Sequence, residues 1–262
     1  MWRPFFWRQA AAGLGDGRLR QNSRTFSDSR IALNMTSLAW QAAIVDLDGT
    51  MVDTLGDFAV ALNRVLDELA LPGIQRPAIE HMVGKGSEHL IRSVLAHVHA
   101  APSLYERAWQ SYQRHYLAIN GRYSSVYPGV VEGLDALRGA GLKLACLTNK
   151  PIAFAAPLLR DKGLAEFFTL VFGGDAFERN KPDPLPLLKS CEALGCAPGR
   201  TLVIGDSSND ARAARAAGCP VVLVTYGYNH GEPVRAVDAD GFVDSLSEVL
   251  AMIRRPFPAA LP

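Results

Sequence analysis

Short apolar runs alternate with amphipathic segments over most of the chain. The apolar runs are AAIVDLD (42–48), LKLACLT (142–148), LVFGG (170–174), TLVIGD (201–206) and PVVLVT (220–225). The segments whose apolar spacing predicts helices lie at about 130–138, 151–163, 184–195, 210–218 and 246–255. Short, nearly continuous apolar strands that alternate with helices indicate a parallel sheet covered on both faces. We therefore predict an α/β fold with a doubly wound, Rossmann-like parallel sheet.

The first apolar run is followed by a long block without a strand pattern. In LGDFAVALNRVLDELAL (55–71), apolar residues recur every three or four positions, and the pattern stops at Pro72-Gly73. Helical patterns continue through 87–100 and 103–119. We predict that residues 55–122 form an all-helical cap inserted into a core made of residues 39–54 and 123–255.

The start of the chain differs from the rest. Its first 30 residues hold six arginines against two aspartates and show no sustained hydrophobic period. Such a segment is typical of an organelle transit peptide, and translation that begins at Met35 is the alternative we favour. In either case we expect residues 1–38 to be a disordered N-terminal extension.

The composition is that of an ordinary globular protein, with 48% hydrophobic and 20% charged residues. A net charge of +1 gives no electrostatic reason to expect a nucleic acid or a membrane surface as partner. No apolar run approaches the roughly 18 residues of a membrane span. The four scattered cysteines are typical of reduced thiols in a cytoplasmic protein. We expect a small-molecule partner, and the sequence leaves a monomer and a homodimer both open.

Polar residues follow the predicted strands at the point where each strand ends. Asp46 to Thr50 follow the first strand, Thr148 to Lys150 the second and Asp206 to Asp210 the fourth, while Lys181 comes after LVFGG. Ligands of such sheets bind beyond the carboxyl ends of the strands. A turn with a helix N-cap would explain Asp48-Gly49 alone. It does not explain four separate segments that meet at one edge.

Two carboxylates one residue apart are costly at the end of a buried strand. Residues i and i+2 of a strand share a face, so Asp46 and Asp48 are predicted to point into one pocket, together with Asp206. Such a cluster needs a cation or a bound proton. Oxygen ligands favour a hard cation, and we predict Mg²⁺. Hydroxyl, amide and ammonium groups of Thr148, Asn149 and Lys181 suit phosphate oxygens.

Four motifs in this order resemble those of the haloacid dehalogenase-like phosphatases, over about residues 40–250. They read DLDGT (46–50), LTNK (147–150), KPDP (181–184) and GDSSND (205–210). The resemblance implies that Asp46 is the nucleophile and Asp48 the general acid and base. It also implies that Mg²⁺ is bound by the side chains of Asp46 and Asp206 and by the main-chain carbonyl of Asp48.

The same resemblance implies roles for the remaining motif residues. Thr148, Asn149 and Lys181 would hold the transferring phosphoryl group, and Lys181 is counted among the catalytic residues. Asp210 would orient Lys181 or a metal-bound water. The acid two residues past the nucleophile favours phosphoryl transfer over the dehalogenation that names the family.

Within the family, four stretches resemble the bacterial phosphoglycolate phosphatases. They are LTNKPIAFAAPLL, FGGDAFERNKPDPLPLL, GDSSNDARAARAAGCP and TYGYNHGE. The substrate that this implies, 2-phosphoglycolate, carries a carboxylate as a second anion. Lys85, with the amides of Gly84 and Gly86 at a predicted helix start, is our candidate to bind it.

Several alternatives stay open at this point. Lys85 is alternatively a solvated surface lysine or, as in phosphonate-cleaving relatives, a Schiff-base lysine. A sugar phosphomutase would use the same two aspartates, and a phosphatase for another small metabolite such as a sugar phosphate would share every motif. A non-catalytic binding protein is disfavoured because each motif residue is intact.

Overall fold

The computed structural model describes residues 40–254, in which eight strands occur. They are β1 (Ala42–Val45), β2 (Val52–Asp53), β3 (Ser125–Val126), β4 (Lys143–Leu147), β5 (Leu170–Phe172), β6 (Thr201–Gly205), β7 (Val221–Val224) and β8 (Gly241–Val243). Six of them form one sheet in the order β5-β4-β1-β6-β7-β8. Every neighbouring pair in it is parallel. The predicted α/β fold with a parallel sheet is confirmed.

The α-helices of residues 40–254 either flank this sheet or lie between β2 and β3 in the chain. They are α1 (Leu55–Glu68), α2 (Arg76–Glu80), α3 (Ser87–His97), α4 (Tyr105–Ile119), α5 (Val130–Gly139), α6 (Ile152–Asp161), α7 (Leu185–Leu194), α8 (Ser208–Ala217) and α9 (Val249–Ile253). None of these helices is long and apolar enough to cross a membrane. The predicted N-terminal extension, residues 1–38, lies outside the described residues.

Side chains of β1 alternate between two apolar layers, as the period of a strand requires. Ala43 and Val45 pack with α5, α6 and α9 on one face. Ala42 and Ile44 pack with α7 and α8 on the other face. The sheet is therefore buried on both sides, which explains why its strands are apolar without alternation.

The structure differs from the prediction at the ends of the strands and in three short elements. The strand at 42–48 ends at Val45, and the strand at 201–206 ends at Gly205. The edge strand β8 and the antiparallel ribbon of β2 and β3 were not predicted. They have two or three residues each, too few to show a hydrophobic period.

Helices α1 to α4 follow β2, precede β3 and share an apolar cluster of their own. The cluster includes Phe58, Leu62, Ile91, Tyr112 and Tyr116. Phe154 and Tyr228, which lie outside this helical block, also belong to the cluster. We propose, as the sequence predicts, that residues 55–122 act as a cap over the carboxyl edge of the sheet.

Asp57 joins the two ends of the helical block. Its buried carboxylate accepts a hydrogen bond from the backbone N–H of Gly121 through Oδ2 and another from Tyr123 through Oδ1, each at 2.8 Å. The residue stands in the first turn of α1 and its partners lie just before the chain returns to the core. The two hydrogen bonds therefore hold the start of the cap against its end.

Replacing Asp57 with alanine should lower the free energy of unfolding by about 2–4 kcal/mol, because two backbone N–H groups lose a charged acceptor. Urea unfolding followed by circular dichroism measures the change. Asp67→Ala, an exposed position on the same helix, should stay within about 0.5 kcal/mol of wild type. Equal urea midpoints for Asp57→Ala and wild type would show that this link contributes no stability.

Candidate active site

The turn after β1 places Asp46 and Asp48 at the edge of the sheet. Asp46 N–H donates to the carbonyl of Ile204 at 2.9 Å, which extends the pairing with β6 by one residue. Leu47 is buried in the core below the turn. The strand has ended by then, so the i, i+2 argument does not apply, yet Asp46 and Asp48 still line one cavity. The turn, and not the alternation of a strand, therefore places both carboxylates at the same cavity.

Lys181 brings a buried positive charge to Asp46. Its Nζ lies 3.0 Å from Asp46 Oδ1 and 2.6 Å from Asp210 Oδ1, and donates to the carbonyl of Leu147 at 3.0 Å. Burial lowers the pKa of Lys181, but Asp210 and Asp46 raise it more, so that its pKa lies above the ordinary value. The ammonium therefore stays charged at neutral pH.

Asp210 is held in place by the start of α8. Ser207 Oγ donates to Asp210 Oδ2 at 2.8 Å, and Ser207 N–H donates to the same oxygen at 3.3 Å. Any side chain at Gly205 would collide with this carboxylate. Asp210 thus contacts Lys181 directly, which corresponds to one of the two roles that the resemblance implied for it.

Three carboxylates meet beside Lys181. Oxygens of Asp46, Asp206 and Asp210 lie within 4.8 Å of one another. Burial raises the pKa of Asp46 to about 7, opposed by Lys181 and assisted by Asp210. Burial raises the pKa of Asp206 well above its usual range, and Asp210 and Asp46 raise it further. One ammonium is too little positive charge to balance three carboxylates.

This cluster fits a small divalent cation. Apart from its ion pair with Lys181, the buried Asp46 Oδ1 has no hydrogen-bond partner among the described residues. All the donors are oxygens, which is the ligand set that Mg²⁺ prefers. The structure brings Asp46 and Asp206 together as predicted and adds Asp210 to the group. The part played by the Asp48 carbonyl stays a prediction.

Asp48 points to a second buried lysine that the sequence analysis left without a role. Lys150 Nζ donates to Asp48 Oδ1 at 2.9 Å and to the hydroxyl of Tyr116 at 2.6 Å. It also lies 4.5 Å from the ring centroid of Phe58 and 4.7 Å from that of Tyr116. Both rings belong to the helical block, so Lys150 joins the loop after β4 to that block.

Thr148 and Asn149 line the same cavity. Thr148 Oγ1 accepts the N–H of Lys150 at 3.2 Å. The Asn149 side chain accepts the N–H of Lys181 and donates to its carbonyl, and it also donates to the carbonyl of Gly84. Asn149 therefore holds the backbone of Lys181 in place and contacts the helical block.

The cavity itself is closed on the side of the cap. Core residues Asp46, Asp48 and Thr148 to Lys150 form its floor. Its roof consists of the apolar and small residues Phe58, Val83, Gly84, Gly86, Ser87 and Leu90. The space between roof and floor, about 20 Å³, has room for about one water molecule. A phosphate ester needs more room than this.

With this geometry established, residues 43–224 match the family model of the haloacid dehalogenase-like hydrolases. The chain belongs to this family. A phosphoglycolate phosphatase from Thiobacillus denitrificans is 44% identical over 218 residues, 82% of this chain and 96% of that protein. Another from Nitrosospira multiformis shows the same identity and coverage.

The solved structures agree with the sequence matches. A crystal structure from Haemophilus somnus, described as a predicted phosphoglycolate phosphatase, superposes with a TM-score of 0.79 at 30% identity. The match covers 82% of this chain and 98% of that one. The resemblance inferred from the four motifs is confirmed, and with it the fold of the core.

In this hydrolase, Lys85 lies apart from the enclosed cavity. It lines a second, wider cavity together with His89, Arg92 and Trp109. Gly86, whose φ is +89°, lines both cavities. The structure therefore brings the glycines on either side of Lys85 to the cavity of Asp46, while Lys85 itself lines the other cavity.

Tyr228 is a site residue that sequence reasoning missed. Its N–H donates to Asp206 Oδ2 at 2.8 Å. Its hydroxyl accepts the N–H of Thr54 at 2.7 Å and donates to Asp53 Oδ1 at 2.9 Å. Tyr228 thus joins the carboxylate cluster to the entry of the helical block. The only signal was its place in TYGYNHGE, a stretch singled out for resemblance and given no role.

Proposed function

We propose that this protein is a Mg²⁺-dependent phosphatase that hydrolyses 2-phosphoglycolate to glycolate and phosphate through an aspartyl-phosphate at Asp46. The observation that carries the phosphoryl-transfer chemistry is the Asp46 carboxylate, 3.0 Å from the buried ammonium of Lys181 and grouped with the carboxylates of Asp206 and Asp210. The relatives named phosphoglycolate phosphatase support the choice of substrate. The protein is then a phosphoric monoester hydrolase with a nucleophilic carboxylate.

In the first step, a carboxylate oxygen of Asp46 attacks phosphorus. The bond between phosphorus and the ester oxygen breaks, and Asp48 transfers a proton to that oxygen so that glycolate leaves. Lys181, already 3.0 Å from Asp46, neutralises negative charge on the phosphoryl oxygens. Hydroxyl and backbone groups at Thr148 and Asn149 complete the pocket for the phosphoryl group.

In the second step, Asp48 removes a proton from a water molecule, and the water oxygen attacks phosphorus. The bond between phosphorus and Asp46 breaks, which releases phosphate and restores the carboxylate. Mg²⁺, when bound, would be held by Asp46 and Asp206 and would neutralise the crowded carboxylates and phosphate oxygens. The closed roof of the cavity limits the number of water molecules that reach the phosphoenzyme.

Release of inorganic phosphate from a panel of monoesters tests the proposal. In the presence of Mg²⁺, we expect kcat/KM for 2-phosphoglycolate to exceed that for sugar phosphates by about 100-fold or more, since a buried ionic contact is specific to the acid. The Asp46→Asn variant in the same panel excludes a contaminating phosphatase. A preference for a sugar phosphate would refute the substrate, and conversion of a sugar phosphate to its isomer without phosphate release would indicate a mutase.

A further inference from the structure

The position of Lys150 has a consequence for substrate recognition. Its side chain is only 2% exposed, and within residues 40–254 Asp48 is its one carboxylate partner. The other groups around its ammonium are the hydroxyl of Tyr116 and two aromatic rings. Among the described residues that line the enclosed cavity, Lys150 alone carries a positive charge. An anion in the cavity therefore meets Lys150 there.

The second buried lysine of the site is already committed elsewhere. Lys181 contacts Asp46, Asp210 and the carbonyl of Leu147. It therefore lies at the nucleophile, where the phosphoryl group must be. Lys150 lies instead at Asp48, which in the proposed reaction protonates the leaving oxygen. The two ammonium groups thus divide the site into a phosphoryl side and a leaving-group side.

The chemistry of 2-phosphoglycolate matches this division. Its carboxylate carbon is two bonds from the ester oxygen that Asp48 must reach. A cation 2.9 Å from Asp48 is therefore within reach of that carboxylate when the ester oxygen is at Asp48. Phe58 and Leu90 also line this cavity. They provide apolar walls for the single methylene group that joins the ester oxygen of the substrate to its carboxylate.

We propose that Lys150 binds the carboxylate of the substrate and so determines the preference for 2-phosphoglycolate over uncharged esters. This rests on the proposed function and names the residue that confers its specificity. The Tyr116 hydroxyl accepts a hydrogen bond from Lys150 and so helps to hold the ammonium in place. The sequence predicts this role for Lys85, which lines the other cavity.

A pair of substrates that differ only in the second anion isolates this role. In 2-hydroxyethyl phosphate, the carboxylate of 2-phosphoglycolate is replaced by CH₂OH. Wild type should prefer the acid, and Lys150→Met should reduce that preference by about 10- to 100-fold, the effect of one hydrogen bond to a charged group. Lys85→Met, matched in the change of side chain, should leave the preference unchanged.

The outcomes separate the proposal from its alternatives. If Lys150→Met lowers kcat/KM equally for both substrates, Lys150 only positions Asp48 and the proposal is wrong. If Lys85→Met abolishes the preference instead, Lys85 is the carboxylate ligand. If wild type does not turn over 2-phosphoglycolate, the proposed function itself fails. If Lys150→Met keeps the wild-type kcat/KM for both substrates, the assignment of Lys150 is wrong, while the proposed function still stands.

A structural measurement covers the case in which the Lys150 variants do not fold. Asp46→Asn, crystallised with 2-phosphoglycolate and Mg²⁺, retains Lys150 and should trap the substrate. We expect a carboxylate oxygen within hydrogen-bond distance of Lys150 Nζ. A carboxylate bound only by Lys85 or by the Gly84 and Gly86 amides would overturn the proposal.

Discussion

Asp46→Asn should lower kcat for phosphate release by about 10⁴-fold or more, on the scale seen when a nucleophile is removed from an active site. The amide cannot form the aspartyl-phosphate, so no covalent intermediate should be trapped after acid quench with labelled substrate. The fold should persist. Burial raises the pKa of Asp46 from 3.8 to about 7, so ionisation of this carboxyl lowers the stability of the folded metal-free protein as the pH rises through that range. A neutral amide removes that cost.

Asp48→Asn is the matched comparison for this variant. With an aryl phosphate, whose leaving group needs no proton, Asp48→Asn should still form the phosphoenzyme and should hydrolyse it slowly. Quenched-flow measurement of both variants separates the nucleophile from the acid. Near-normal turnover by Asp46→Asn, or a covalent phosphate on another residue, would refute the assignment of Asp46.

Removal of divalent cations should abolish turnover, and addition of Mg²⁺ should restore it. The physical reason is the group of three carboxylates within 4.8 Å, with raised pKa values at Asp46 and Asp206. At 100 times its dissociation constant, a ligand stabilises the native state by about 2.7 kcal/mol. For a chain of this size that corresponds to a rise in Tm of roughly 5–10 °C. Thermal unfolding with EDTA and with Mg²⁺ measures it without substrate.

Asp206→Asn should remove most of this Mg²⁺-dependent rise in Tm and should lower activity severely. Asp135→Asn, an exposed carboxylate paired with Arg138, is the control and should keep the full rise. An Asp206→Asn protein that is stabilised by Mg²⁺ as strongly as wild type would exclude Asp206 as a ligand. Full activity in EDTA would exclude the metal requirement altogether.

Much of the core could be predicted because its signals are local. The strands β1, β4, β6 and β7 are apolar runs, and a sheet buried on both faces requires such runs. The four motifs could be placed at one edge because the carboxyl ends of parallel strands meet there. The meeting of Asp46, Asp206 and Lys181 confirms that expectation of proximity, although their catalytic roles stay predictions.

The closure of the site could not be predicted in the same way. The contacts of Lys150 with Asp48 and Tyr116 span 102 and 34 residues, and those of Tyr228 with Asp206 and Asp53 span 22 and 175. No periodicity in the chain encodes which side of a loop faces a helical insertion. Lys85, which its flanking glycines suggested as a ligand, lines another cavity, and no local pattern in the sequence indicates that placement.

The sequence alone determined the layered fold, the edge of the sheet that carries the chemistry and the residue types that gather there. These follow from hydrophobic periodicity and strand direction, which act over a few residues at a time. The tertiary structure decided which lysine lies at each aspartate, how Asp210 joins the carboxylate cluster and how tightly the helical block covers the cavity. These depend on packing between segments far apart in the chain, where the direction of each side chain is settled only by its neighbours.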